Sequence, residues 1–240
     1  MILKVNNVSK HFQGVKAVNG TSFHVEEKEI VGVIGPNGAG KTTLFNLISG
    51  SLPVTSGTIE FKGETITNQK AYILCKKGIG RTYQVVKPFG TISVLENVMV
   101  GAFNKHNSRD QAAKISKEIL KQVGLYEKRD QIGNSLTLAD KKRLEVAKAL
   151  ATQPALLLLD EVMAGLNPSE VKEILPLILQ LRDEGITIVI IEHLMEVVMT
   201  ICDRIVVVHH GEKIAEGTPK EIANHPEVIK AYLGDEVSYA

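Results

Sequence analysis

The chain contains no tryptophan, and aromatic residues make up only 5% of its 240 positions. A core without large rings must be built from Val, Ile and Leu, which suits parallel strands covered by helices. There are two cysteines, Cys75 and Cys202. They have no metal-ligand spacing, so they are expected to be free thiols in a reducing compartment. No run of 18 or more apolar residues occurs, so nothing is expected to span a membrane. The opening MILKVNNVSKHF has no signal-peptide core. Charge is also nearly absent in net terms, because 28 basic and 27 acidic residues leave +1. That balance argues against a protein that binds nucleic acid by neutralising phosphates.

The length allows one large domain with a substantial core and a small subdomain. LKVNNVSKHF alternates apolar and polar, TSFHVEE reads as a strand, and EIVGVIG is a buried strand. Their closeness predicts an antiparallel sheet within the first sixty residues. GTIEFKGETI adds a strand, a Lys-Gly turn and a short return. From Val94 to about Ala151 the pattern is mostly helical, with Gly124 ending one helix. ALLLLDE and TIVIIEH read as buried parallel strands. NPSEVKEILPLILQLRDEG reads as a helix with Pro168 in its first turn and Gly185 at its end. Pro176 predicts a kink or break inside it. RIVVVHHGEKIAEG is a strand pair around Gly211. TPKEI begins a helix with Thr218 as cap, Pro219 at the first position and Glu221 completing a capping box.

GPNGAGKT, Gly35 to Thr42, has every residue of the G-x-x-x-x-G-K-[ST] pattern, and lies between a predicted strand and a predicted helix. Glycines let the backbone curl so that several N–H groups converge on one anion, and the helix start adds its positive dipole end. Lys41 is expected to reach the β- and γ-phosphates, and the Thr42 hydroxyl to ligate Mg²⁺. Alone, such a loop serves kinases, GTPases, helicases and transport ATPases alike. The apolar run Leu156 to Leu159 leads into Asp160 and Glu161. Asp160 is expected to hold Mg²⁺ through water, and Glu161 to act as general base toward the attacking water. His193 ends TIVIIEH in the same manner. Three strands ending at reactive side chains form a set, because open α/β sheets bind ligands at the carboxyl ends of their strands.

These residues, in this order, resemble the nucleotide-binding subunit of ATP-binding cassette (ABC) transporters from Leu3 to about Leu233. The fold implied is an α/β P-loop NTPase (RecA-like) core with an N-terminal antiparallel β subdomain and an inserted α-helical subdomain. The expected boundaries are core 1–87 and 152–240, with the helical subdomain at about 88–151. By itself Phe12 reads as a core aromatic; the resemblance makes it the ring that stacks on adenine, with Val18 packing nearby. The phosphates would lie against Gly35, Pro36, Asn37, Gly38, Ala39, Gly40, Lys41, Thr42 and Thr43. Gln84 matches the Q-loop glutamine that touches Mg²⁺ and the attacking water. ALLLLDE matches Walker B, with Asp160 as a metal residue and Glu161 as the catalytic glutamate. AGLNP, Ala164 to Pro168, matches the D-loop. His193 matches the histidine that contacts the γ-phosphate.

The signature loop of this family, typically Leu-Ser-Gly-Gly-Gln, is altered. Here it reads Leu136-Thr137-Leu138-Ala139-Asp140. The hydroxyl survives as Thr137, while both glycines and the glutamine are gone. The resemblance makes Ser135 and Thr137 contacts to ATP held by the opposite subunit of a homo- or heterodimer. Leu138 limits how closely a phosphate can approach, and Lys141, Lys142 and Arg143 could offset the charge of Asp140. The expectation is a loop that closes on ATP more weakly than usual. RTYQVVKPFGTISVLENVMVG and DEVMAGLNPSE are similar to the branched-chain amino acid importer group, which also includes amide and urea importers and a lipopolysaccharide-export ATPase. The resemblance implies integral membrane permease partners, a second ABC ATPase subunit, no nucleic acid, and a peripheral place on the cytoplasmic face of the cell membrane. Val85 to Val94, with Val85, Val86 and Phe89, is either a docking patch for the permease or packing for the helical subdomain. The rival class is a soluble, non-transport ABC-type ATPase. Such proteins usually carry two cassettes or coiled-coil insertions, and neither is visible here. GDEVSYA at the end yields no reading.

Overall fold

The computed structural model describes residues 1–233. In chain order its first elements are β1 (Leu3–Phe12), β2 (Val15–Val25), β3 (Ile30–Ile34), α1 (Lys41–Ile48), β4 (Ser56–Phe61), β5 (Glu64–Thr65), α2 (Ala71–Lys77), β6 (Ile79–Arg81) and α3 (Val94–Ala102). Then come α4 (Arg109–Gln122), α5 (Leu138–Ala151), β7 (Leu156–Asp160), α6 (Pro168–Asp183), β8 (Thr187–Ile191), α7 (Met195–Ile201), β9 (Arg204–His209), β10 (Glu212–Gly217), α8 (Pro219–Ala223) and α9 (Pro226–Leu233). The chain divides into two compact units, Met1–Ala71 with the residues from Thr187 onward, and Tyr72–Ile186. The helical segment expected at about 88–151 lies inside the second unit, which also holds β6, β7 and α6.

In the first unit β3 pairs in parallel with β8 on one side and β9 on the other, and β10 closes back antiparallel on β9. Every residue of β3 and β8 is buried. That burial is why these runs are continuously apolar and not alternating. The antiparallel sheet orders its strands β2-β1-β4-β5. It is tied to the β9–β10 turn at Gly211, whose carbonyl accepts from Asn19 N at 2.8 Å and Thr21 Oγ1 at 2.9 Å.

In the second unit β6 and β7 pair in parallel, with Arg81 opposite Leu158. Helix α3 packs on α4 and α5. Its start is fixed by a capping box between Ser93 and Glu96, which satisfies N–H groups that the first turn leaves unpaired. The break or kink expected at Pro176 is not the outcome as far as continuity goes, because α6 runs unbroken from Pro168 to Asp183. Pro176 is exposed, so the carbonyl one turn before it can turn to water. The opposite face buries Val171, Ile174, Leu177, Ile178 and Leu181. At about 1.5–3 kcal/mol per buried side chain, that face outweighs the roughly 3 kcal/mol cost of an interior proline. Among the described residues no helix is long and apolar enough to cross a membrane.

Candidate nucleotide site

In the first unit, β3 runs straight into the phosphate loop and α1 leaves it at Lys41. The loop is built against its neighbours so closely that two glycines are obligatory. A Cβ on Gly35, at φ 152°, would lie 2.0 Å from the carbonyl oxygen of Val208. One on Gly40, at φ 102°, would lie 2.1 Å from that of Ala17. Gly211 N donates to Ala39 O at 3.0 Å, so the β9–β10 turn pins the loop from a third side. Pro36 is half-buried and Ala39 buried, while Asn37 and Gly38 are exposed at the crest. Lys41 is buried, and its Nζ donates to Gly35 O at 2.7 Å and Pro36 O at 3.0 Å. It is therefore held against the carbonyls of the loop's first two residues. Thr42 is exposed and Thr43 half-buried. Phe12 is not a core residue. It is 42% exposed at the tip of the β1–β2 hairpin, with the Lys10 ammonium 5.1 Å from its ring centroid, whereas Val18 is buried. His193 is exposed just past the end of β8.

In the second unit, β7 ends at Asp160, and the next residue, Glu161, takes φ 50°. A non-glycine residue there costs of order 1–3 kcal/mol and persists only where surroundings hold it. Here they do. Gln84 Nε2 donates to Glu161 Oε2 at 2.7 Å, and Lys142 Nζ donates to Glu161 O at 2.7 Å. Asp160 Oδ2 accepts from Arg81 Nη2 at 3.0 Å, both side chains being buried. Burial pushes the Asp160 carboxyl above its ordinary range, although the hydrogen bond and charge of Arg81 pull it down. Its Oδ1 is buried with no hydrogen-bond partner. A buried acceptor of this kind fits a hard cation or a cation-bound water. The exposed Thr42 hydroxyl and the Gln84 amide oxygen are of the same donor type. No cluster of three or more His, Cys, Asp or Glu side chains among the described residues forms a metal cage.

The altered signature loop opens α5. Thr137 is its N-cap, with Oγ1 accepting from Asp140 N at 3.2 Å and donating to Asp140 Oδ2 at 2.9 Å. Ser135 Oγ donates to Ile132 O at 2.7 Å. Leu138 is 45% exposed. The expected compensation of Asp140 by the following basic run holds in part: the charge of Arg143 helps to lower its carboxyl, but the direct contact comes from outside that run. The contact is made by Lys128, whose Nζ lies 2.5 Å from Asp140 Oδ2. Burial opposes the charge on Asp140, but the hydrogen bonds of Lys128 and Thr137 hold its carboxyl below the ordinary range. Lys142 turns inward instead, and Arg143 pairs with Glu173. Helical geometry separates Lys142 from Asp140, because positions 140 and 142 are about 200° apart around the axis. Val85 and Phe89 are exposed and Val86 half-buried, with the Lys148 ammonium 5.2 Å from the Phe89 centroid.

Arg81, Lys142 and Lys128 were not singled out as site residues. A basic residue in the otherwise apolar IGR strand was a usable signal for Arg81. None marked Lys142 apart from its neighbours.

A strand-to-helix phosphate loop with a buried lysine, and a buried strand ending in Asp-Glu, define a P-loop NTPase. A family model described as "ABC transporter" matches residues 18–164. A second, described as "Branched-chain amino acid ATP-binding cassette transporter", matches residues 212–238. The second match runs into the terminal segment that gave no reading, and residues 234–238 lie outside those described. The chain belongs to the ABC transporter family, as an ATP-binding and ATP-hydrolysing subunit. It is 39% identical over 250 residues to the high-affinity branched-chain amino acid transport ATP-binding protein BraF of Pseudomonas aeruginosa, with 98% of each chain covered. It is 40% identical over 250 residues to the protein of the same description, LivG, of Salmonella typhimurium, again with 98% of each covered. Among solved structures, an ATP-binding cassette of an ABC transporter in its ADP conformation matches with TM-score 0.88 and 32% identity, over 98% of this chain and 99% of that one.

Proposed function

We propose that this subunit powers the uptake of branched-chain amino acids, or of a related small polar solute. The observation that carries the reading is the match of residues 212–238 to the branched-chain family model. That segment holds none of the predicted nucleotide residues, so its likeness is separate from the ATPase machinery. The working form is a dimer with a second ABC ATPase subunit, held by membrane permeases at the cytoplasmic face of the cell membrane. The chain is a single ABC ATPase domain on this reading, with its core in 1–87 and 152–240 and a helical subdomain of about 88–151.

ATP stacks on Phe12, and its phosphates take the N–H groups of Gly35 to Thr43 with the charge of Lys41. Mg²⁺ would be held by Thr42, Gln84 and, through water, Asp160, and would supply positive charge that offsets the charge of the phosphates. Glu161 accepts a proton from the attacking water, Gln84 orients that water, and His193 supports the γ-phosphate. Ser135 and Thr137 face the nucleotide of the opposite subunit. The Thr137–Asp140 hydrogen bonds must be shared or surrendered there, which supports a weaker closure than a glycine-rich loop gives.

The test is gentle purification from native membranes, with the co-purifying proteins identified by mass spectrometry. Two multi-span membrane proteins and a second ATPase are expected, and vesicles containing that complex should accumulate labelled leucine or valine only with ATP. Ribosomal or DNA-bound partners without membrane proteins would remove the transporter assignment. A glutamate-to-glutamine change at Glu161 should slow hydrolysis by roughly 10²–10⁴-fold while ATP still binds. Near-normal turnover would take Glu161 out of the base role.

A further inference from the structure

Lys142 is 4% exposed. A buried ammonium costs several kcal/mol unless its donors are well met. Its Nζ donates to two backbone carbonyls, Glu161 O at 2.7 Å and Gln84 O at 3.3 Å. Gln84 in turn donates its side-chain N–H to the Glu161 carboxylate at 2.7 Å. The three residues therefore form a closed ring of hydrogen bonds. Lys142 holds the main chain of both partners, and the partners hold each other through their side chains.

The ring explains the backbone at Glu161. Its φ of 50° is a left-handed conformation that a non-glycine residue keeps only where its surroundings hold it. A charge-assisted hydrogen bond to its carbonyl, stronger than a neutral one, is such a hold. The same carbonyl accepts from Ala164 N at 3.2 Å, so the first turn of Ala164 to Pro168 is fixed at the same point. Lys142 also lies in the second turn of α5, the helix that Thr137 caps. The carboxylate at the end of β7 is thereby bound to the position of that helix.

We propose that Lys142 is a positioning residue for hydrolysis: it clamps the main chain of Glu161 and Gln84 so that the carboxylate and the amide present a fixed geometry to the attacking water. It acts through these two residues. The inference rests on the proposed role of Glu161 as base.

The experiment compares K142M, K142R and E161Q in the full chain. K142M keeps the stem and removes the donors and charge. Single-turnover hydrolysis, KM for ATP, the Kd for a fluorescent ATP analogue and the melting temperature are measured for each. A misplaced reacting group costs on the order of 10²-fold in rate. K142M should lose about that in kcat, with KM and Kd unchanged within about twofold, and K142R should recover most of the rate. If K142M does not fold, K142Q, which keeps an N–H donor without the charge, is read in the same way. Near-normal kcat in K142M, with E161Q inactive, overturns the role of Lys142 alone. A parallel loss of kcat, ATP affinity and thermal stability that arginine does not rescue also overturns it, leaving Lys142 a structural residue. Full activity in E161Q would instead remove the base assignment on which the clamp depends.

Discussion

Replacing Arg81 with methionine removes the partner of the most deeply buried carboxylate in the predicted site. Asp160 is 1% exposed and the Arg81 side chain 6%, and their contact is 3.0 Å. One Asp160 oxygen already lacks a partner, so R81M leaves the carboxylate without its hydrogen-bonded cation, with only the charge of Lys142 still acting on it. Removing one member of a buried pair costs about 3–5 kcal/mol, because the other charge stays buried. The penalty should depend on pH in a definite direction. Burial already holds the Asp160 carboxyl above its ordinary 3.8, and without Arg81 it must rise further. A folded-state pKa above the unfolded one means that protonation favours the fold. The deficit of R81M is therefore largest above the folded pKa and shrinks as pH falls toward the unfolded value. The limiting slope is about 1.36 kcal/mol per pH unit for one proton. Urea unfolding of wild type, R81M and the R81M/D160N double variant from pH 8 to pH 5 reads this directly. The single variant should lose about 3–5 kcal/mol at pH 8 and regain part of it toward pH 5. The double variant, with neither charge of the pair left, should lie nearer wild type. A deficit below about 1 kcal/mol at pH 8, or one that does not change with pH, would mean that Arg81 acts only as packing.

Other expectations rest on separate features. G40A puts a methyl 2.1 Å from Ala17 O at a φ of 102°; the overlap and the backbone strain together should cost roughly 2–5 kcal/mol and weaken ATP binding, measured by denaturation and by nucleotide titration. Changing Leu138 and Ala139 together to glycine should tighten ATP-driven dimerisation of the E161Q chain in analytical ultracentrifugation; unchanged association would clear the altered loop of any weakening. Cys202 is buried and its thiol is pushed up to about 12, chiefly by burial, while Cys75 is half-buried on α2. A maleimide at pH 8 should therefore label Cys75 alone until denaturant is added, as peptide mass mapping would reveal.

The local grammar of this protein was written in its sequence. The phosphate loop could be read because its glycines, lysine and hydroxyl are consecutive and bounded by a strand and a helix. Continuous apolar runs identified β3, β7 and β8, and the Thr218 and Glu221 box fixed the start of α8, because capping depends only on neighbours three residues apart. What failed at this level failed for reasons of distance or direction. Pro176 looked like an interruption, yet whether a proline breaks a helix depends on which face it occupies and how much the other face buries. Phe12 taken alone reads as core, and only the fold places its ring, 42% exposed, at a hairpin tip beside Lys10. Lys141, Lys142 and Arg143 are one basic run in the sequence and separate environments in the fold. Only folding brings Lys128 to Asp140, Arg81 to Asp160, and Lys142 to the carbonyls of Glu161 and Gln84, which lie 19 and 58 positions away. Chemistry confined to a few adjacent residues is set by the sequence alone. The charge partners that hold the acids in place, and the strained backbone at Glu161, are decided by tertiary packing, because only there do buried charges find the donors that keep them buried.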